Sequence, residues 1–208
     1  MSEEKFIRLN IAFRMPEEVA KAAMKLSRKI AEGEDVYFIL DGIEYFPHAT
    51  NYAVEYPEKN LDKVIEAVEG LVAEFYALEF SFTENVAEQG WVGVHFDYSQ
   101  SLRKVHCAFI EKLSPLRENR IRENFEDIGT FSSEEEQENI AMHGHPWILN
   151  LYTPHLTITK LKNDEIAEKV ARELMWPIEN FKVDTVGIFI GGEHGTCRKL
   201  IKEFKMKK

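Results

Sequence analysis

The sequence predicts an α+β fold built as two related lobes, and three observations lead there. Segments of strand and helix periodicity alternate along the whole chain. Two Pro-His-x-Thr strings, Pro47-His48-Ala49-Thr50 and Pro154-His155-Leu156-Thr157, stand more than a hundred residues apart. Each string opens a run of the same order, strand, helix, strand, strand, as a duplication would leave it. With 208 residues, 44% of them apolar and 12% aromatic, the chain suits one domain, 1–208, of two coupled lobes around a substantial core.

Lys5–Arg14 alternates as a strand. Pro16 suits a first helical position, Glu17 and Glu18 suit the positive helix end, and Val19, Ala22, Ala23, Leu26 and Ile30 follow at helical spacing up to Gly33. Val36–Leu40 and Glu44–Glu55 read as strands joined at Asp41-Gly42, a hairpin signal. The first unit continues from its His48 strand with a helix over Leu61–Val72 and strands near Tyr76–Phe82 and Trp91–Tyr98. A helix over Ser101–Leu113 and a polar stretch, Ser114–Gly144, a lid or a connector, separate the units. In the second unit, the His155 strand leads to a helix bearing Ile166, Val170 and Leu174. Strands Phe181–Ile190 and Cys197–Met206 follow, joined at Gly191-Gly192. Glu134-Glu135-Glu136 reads as a solvated helix face.

The net charge of −10 disfavours coating of long nucleic acid, which draws on many Lys and Arg contacts. It leaves room for a small nucleotide or a single RNA end. No apolar run is long enough to span a membrane, and the charged N-terminus lacks a signal peptide's apolar stretch. Cys107 and Cys197 make neither a disulfide framework nor a zinc site. The expectation is a cytoplasmic monomer without a membrane partner, metal or cofactor.

On a strand, residues i and i+2 share a face, so His48 points with Thr50 and His155 with Thr157. Shuffling this composition gives on the order of 0.01 Pro-His-x-Thr strings, against two present. Two imidazoles meeting at one cleft supply a proton acceptor and a proton donor near neutral pH. The threonine hydroxyls can donate to phosphoryl oxygens as charge redistributes. That set cleaves a phosphodiester without a metal. The starting assignment is His48 as acid and His155 as base, roles that exchange with reaction direction.

Here the sequence resembles the two-histidine (2H) phosphoesterase superfamily, which includes bacterial RNA 2′,3′-cyclic phosphodiesterases, also called 2′-5′ RNA ligases. The resemblance rests on His48-Ala49-Thr50-Asn51 and His155-Leu156-Thr157-Ile158. The second fits the His-hydrophobic-Thr-hydrophobic pattern fully, whereas Asn51 departs from it and predicts a wetter outer strand face. The resemblance implies a bilobal fold with two antiparallel sheets flanking a central cleft and helices on the outer faces. It also implies a cyclic phosphate on a nucleotide or RNA terminus as substrate. Leu116-Arg117 and Gly144-His145-Pro146 resemble uncharacterised bacterial branches. Lys160 stands where cyclic phosphodiesterases often carry Arg; it brings charge without a bidentate fork.

Phe46 and Tyr52 share the His48 face by alternation and, like Tyr152, either stack on a base or pack the cleft wall. Thr159 continues the His155 face, toward a phosphate or as a plain strand residue. His143 and His145 lack the further ligands a metal needs. His95 and His106 read as structural histidines and His194 as solvent-facing. Three functions compete: opening of a 2′,3′-cyclic or 2′-5′ phosphodiester, the same chemistry on a small cyclic nucleotide, and a binding module that recognises such ends without turnover.

Overall fold

The computed structural model describes residues 4–208. In chain order its main elements are β1 (Phe6–Arg14), α1 (Glu17–Ala31), β2 (His48–Pro57), α2 (Leu61–Val72), β3 (Leu78–Glu88) and β4 (Trp91–Phe96). They continue with α3 (Gln100–Leu113), α4 (Glu134–His143), β5 (His155–Lys160), α5 (Asp164–Glu173), β6 (Asn180–Val183), β7 (Thr185–Gly191) and β8 (Cys197–Lys205). The helix starts follow local chemistry: Ser99 caps α3, Asn163 caps α5, and Ser133 with Glu136 forms a reciprocal capping box on α4. β3 and β4 meet at Gln89-Gly90, both at positive φ, the geometry of a tight hairpin. No helix among the described residues is long and apolar enough to cross a membrane.

The strands form two four-stranded sheets, ordered β2-β1-β7-β8 and β5-β4-β3-β6, and every pairing is antiparallel. α2 and α3 pack on the first sheet through β8 and β2, while α1 and α5 pack on the second through β5, β3 and β4. Phe13 and Phe80, one from each sheet, meet edge to face at 5.4 Å in a continuous core. The two motif strands, β2 and β5, lie at the edges of their sheets and touch each other.

Three expectations change. Residues 36–47 hold no hairpin strands: Val36 makes one bridge to Leu161, and Phe38 and Leu40 sink into the core. Asp41-Gly42 does turn, but as a loop in which Asp41 Oδ1 accepts from the amides of Ile43, Glu44 and Tyr45. The carboxylate outcompetes a ladder there, which is what Asx side chains do at turns. Phe181–Ile190 is two strands, because the chain leaves the second sheet at Val183 and enters the first at Thr185. Finally, the repeated runs are not the sheets. The second sheet is one contiguous stretch, β3 to β6, and the first is closed by the two ends of the chain.

The sheets share one irregularity. On β2, Ala12 faces Thr50 but Ile11 faces Tyr52, so Asn51 is an extra residue. On β5, Gly93 faces Thr157 but Val92 faces Thr159, so Ile158 is extra. A bulge therefore follows each His-x-Thr at its fourth position, and it reverses the alternation beyond that point. Gly93 lets the backbones close at this step: a Cβ built there would lie 2.7 Å from the Leu156 carbonyl oxygen. Gly93→Ala is expected to destabilise the fold by roughly 2 kcal/mol through backbone overpacking. Denaturant unfolding checks it, with Gly33→Ala, whose methyl meets nothing within 4 Å, as the neutral control.

Candidate active site

Both motif histidines are held in the same way. His48 Nδ1 donates to the Phe46 carbonyl at 2.7 Å, and His155 Nδ1 donates to the Thr153 carbonyl at 2.8 Å. A carbonyl can only accept, so Nδ1 carries the proton in each ring. Nε2 is left as the nitrogen that exchanges protons with a ligand. The acceptor is in both cases the residue before a proline, which favours extended backbone.

Asn10, in the middle of β1 and nearly inaccessible, ties the first motif together. Its Nδ2 donates to Thr50 Oγ1 at 2.9 Å and lies 3.4 Å from His48 Nε2. Its Oδ1 has no partner among the described residues. Nothing in the strand periodicity marked Asn10 as functional; the signal available was one amide inside the apolar run Leu9–Phe13.

The two motifs reach one crevice. His48 and Thr157 both line it, with Phe46, His194 and Gly195. His155, on the strand that brings Thr157 to the crevice, is exposed and lies beside His95 at 6.2 Å between ring centroids, near enough to contribute to lowering the pKa of His48 and of His145. His95 is thus a neighbour of the site and not a buried framework residue. His194 is not turned freely to solvent either: its ring lies tilted against Tyr37 at 4.4 Å between centroids and borders the crevice.

Phe46 lines the crevice with one side of its ring packed on Phe189, 5.3 Å away. Tyr52 is turned away by the Asn51 bulge; it is buried, and its hydroxyl donates to the His143 carbonyl. Tyr152 offers no stacking face to a ligand, because its ring lies flat on His106 at 3.9 Å and its hydroxyl donates to the Thr50 carbonyl at 2.7 Å. It buttresses the motif from behind. Thr159 is turned inward by the Ile158 bulge and donates to the Phe38 carbonyl. Lys160 keeps its ammonium 3.2 Å from the centroid of Trp91 and is not among the residues that line the crevice.

Asn51, expected on a wet face, is buried and accepts from His106 Nδ1 at 3.1 Å. His106 Nε2 in turn accepts from the Leu149 amide, and burial pushes its pKa down to about 3. The amide at the motif's fourth position is therefore one end of a buried polar chain. His143 and His145 diverge, the first to Ser114 and the second to the rings of Phe125 and Trp147. The described residues hold no cluster of three or more metal-ligating side chains.

No family profile and no curated protein sequence matches the chain. Solved structures do. LigT of E. coli, complexed with phosphate, superposes with a TM-score of 0.55 at 10% identity, covering 99% of this chain and 100% of LigT. TT0787 of Thermus thermophilus gives 0.59 at 13% identity, over 96% and 98% of the two chains. A structure titled only as a phosphoesterase gives 0.56 at 11% identity, over 98% and 100%. Other LigT structures are complexes with ATP, NADP+ and 3′-AMP. The chain therefore has the fold of LigT, from end to end, as the paired motifs anticipate.

Proposed function

We propose that this protein is a metal-independent phosphoesterase that opens 2′,3′-cyclic phosphates, or related cyclic or 2′-5′ phosphodiesters, on a nucleotide or RNA end. The observation that carries the proposal is the matched pair of imidazoles, each with Nδ1 committed to a carbonyl, on two strands that border one crevice. Recognition alone has no need of two such proton-transfer groups. The LigT fold adds to the reading, since LigT itself is known in complexes with phosphate and with nucleotides.

We assign the acid and base roles in the order opposite to the starting one. The His48 pKa is pushed down to about 4, mainly by desolvation, with the charge of His155 adding to it and the bond to the Phe46 carbonyl opposing it. His48 therefore enters neutral at physiological pH and takes the proton from the attacking water. His155, which is exposed, gives a proton from Nε2 to the leaving ribose oxygen, which yields a 2′-phosphomonoester. The Thr50 and Thr157 hydroxyls donate to the non-bridging oxygens. Asn10 positions Thr50 and His48.

Turnover of 2′,3′-cyclic mononucleotides is expected to persist in EDTA, and His48→Ala or His155→Ala should each cost about 10²–10⁴-fold in rate. Binding without turnover by the unmodified protein would instead make it a recognition module. Because His48 must be neutral to act, kcat/KM should hold as pH falls from 7 and drop only as His48 gains its proton near pH 4. Nitrogen-15 NMR should show His48 as the Nδ1–H tautomer at pH 7, titrating in that same range. An acid limb near the unperturbed histidine value would remove His48 from the base role.

A further inference from the structure

In a chain of net charge −10, one arginine of the first sheet, Arg8, lies on the same face as the site. Arg8 lies two residues before Asn10 on β1 and so shares its face, about 7 Å along the strand. In the β1–β2 register Arg8 stands opposite Glu55. Glu55 is already used: its carboxylate accepts from Arg120 Nε at 2.8 Å. Two residues on, Arg122 covers the Phe125 ring at 5.0 Å, and that ring packs edge-on against His145 at 5.3 Å. The connector between the lobes thus brings a second arginine and an imidazole near Arg8.

Neither arginine has an anion bonded to it. Neither the Arg8 nor the Arg122 guanidinium has a hydrogen-bonded or carboxylate partner among the described residues, and Arg8 Nε is buried without one. The Arg122 pKa is pushed down to about 10 by desolvation and by the charge of Arg8, against which Glu55 acts as the one nearby carboxylate. His145 Nδ1 accepts from the Trp147 amide, which leaves the neutral ring's proton on Nε2 as a donor. Burial and the neighbouring arginines hold its pKa near 3. Two desolvated guanidinium groups whose one nearby carboxylate, Glu55, is bonded to Arg120 are a costly arrangement, and a ligand anion relieves it.

We propose that Arg8, Arg122 and His145 form a second anion subsite, which takes the 5′-phosphoryl group of the nucleotide whose 2′,3′-phosphate lies at His48 and His155. The inference rests on the proposed phosphoesterase reading and narrows its substrate class. Its geometric basis is the step of one residue pair along β1 between Asn10, at the reacting phosphate, and Arg8. That step is close to the separation of successive phosphates on a nucleotide chain. The same group is a terminal monoester in a mononucleotide and an internucleotide diester in an RNA end. Two charged donors favour either form over a 5′-hydroxyl.

The test compares equilibrium binding of a nucleoside 2′,5′-bisphosphate with that of the nucleoside 2′-monophosphate, by calorimetry at fixed salt. The bisphosphate is expected to bind about ten- to a hundredfold more tightly, the value of one or two charge-assisted contacts. That ratio should collapse toward one in Arg8→Gln and in Arg122→Gln, and recover in part in Arg122→Lys. Being a ratio within one protein sample, it is insensitive to partial loss of folded protein. A dinucleotide ending in a 2′-phosphate separates the two sources: tighter binding than the monophosphate assigns the subsite to internucleotide phosphates as well. A ratio near one in the unmodified protein, a ratio unchanged in both glutamine variants, or no binding of either ligand overturns the subsite. The expected ratio in a protein that hydrolyses no cyclic phosphate leaves the subsite standing and removes the phosphoesterase reading instead.

Discussion

The site depends on a short hydrogen bond, repeated twice, from an imidazole Nδ1 to the carbonyl two residues upstream. It fixes the tautomer and the ring plane together, so that only Nε2 remains for chemistry. The proline between donor and acceptor belongs to the same device. By biasing Phe46 and Thr153 toward extended backbone it aims their carbonyls, and it has no amide proton to give to the ladder, although the Pro154 carbonyl still accepts from the Phe96 amide. Pro-His is thus a unit of geometry, which explains why both strings include the proline.

The bulges limit how far each functional face extends. Beyond Thr50 and Thr157 the strands reverse their faces, so Tyr52 and Thr159 turn inward and are bonded there. Behind the first motif, Tyr152 and His106 stack and clamp the backbone of Thr50 and the side chain of Asn51. The four-residue motif is held from both sides by groups that never meet a ligand. The connector is held just as firmly. Arg117, almost wholly buried, donates to the carbonyls of Arg120 and Ala141, and Gly144, at φ 77°, gives its guanidinium room. The stretch that carries Arg120 and Arg122 is thus anchored on a buried cation.

Much of this was legible in the sequence because it is local. The helical spacings, the strand periods and the His-x-Thr pairs all lie within windows of a few residues, and they gave most of the element order and the four principal side chains. What escaped depends on register and on contacts distant in sequence. Strict alternation placed Tyr52 beside His48, since a bulge leaves no mark in residue types. Asn10 is 38 residues from His48 and 40 from Thr50, and no spacing rule joins them. Arg8, Arg122 and His145 come from a strand, a coil and a helix end, and read separately they are ordinary surface residues. Asp41-Gly42 looked like a hairpin because the dipeptide signals a turn; it says nothing of the segments on either side.

The first sheet joins the two ends of the chain, and this has a consequence for biosynthesis. β1 pairs with β2 early, but its other edge waits for β7, with Leu9 finally meeting Ile190. At translation rates of about 5–20 residues per second, that delay is roughly 10–35 s. Throughout it, a central strand of the future sheet travels as an open edge, able to pair with any extended segment it meets. The second sheet has a shorter wait of the same kind, since one edge of β3 stays open until β6 arrives and Leu78 meets Val183. The nascent chain is therefore most vulnerable to aggregation on the half that carries Asn10 and His48, and slow closure is built into the order in which its strands leave the ribosome.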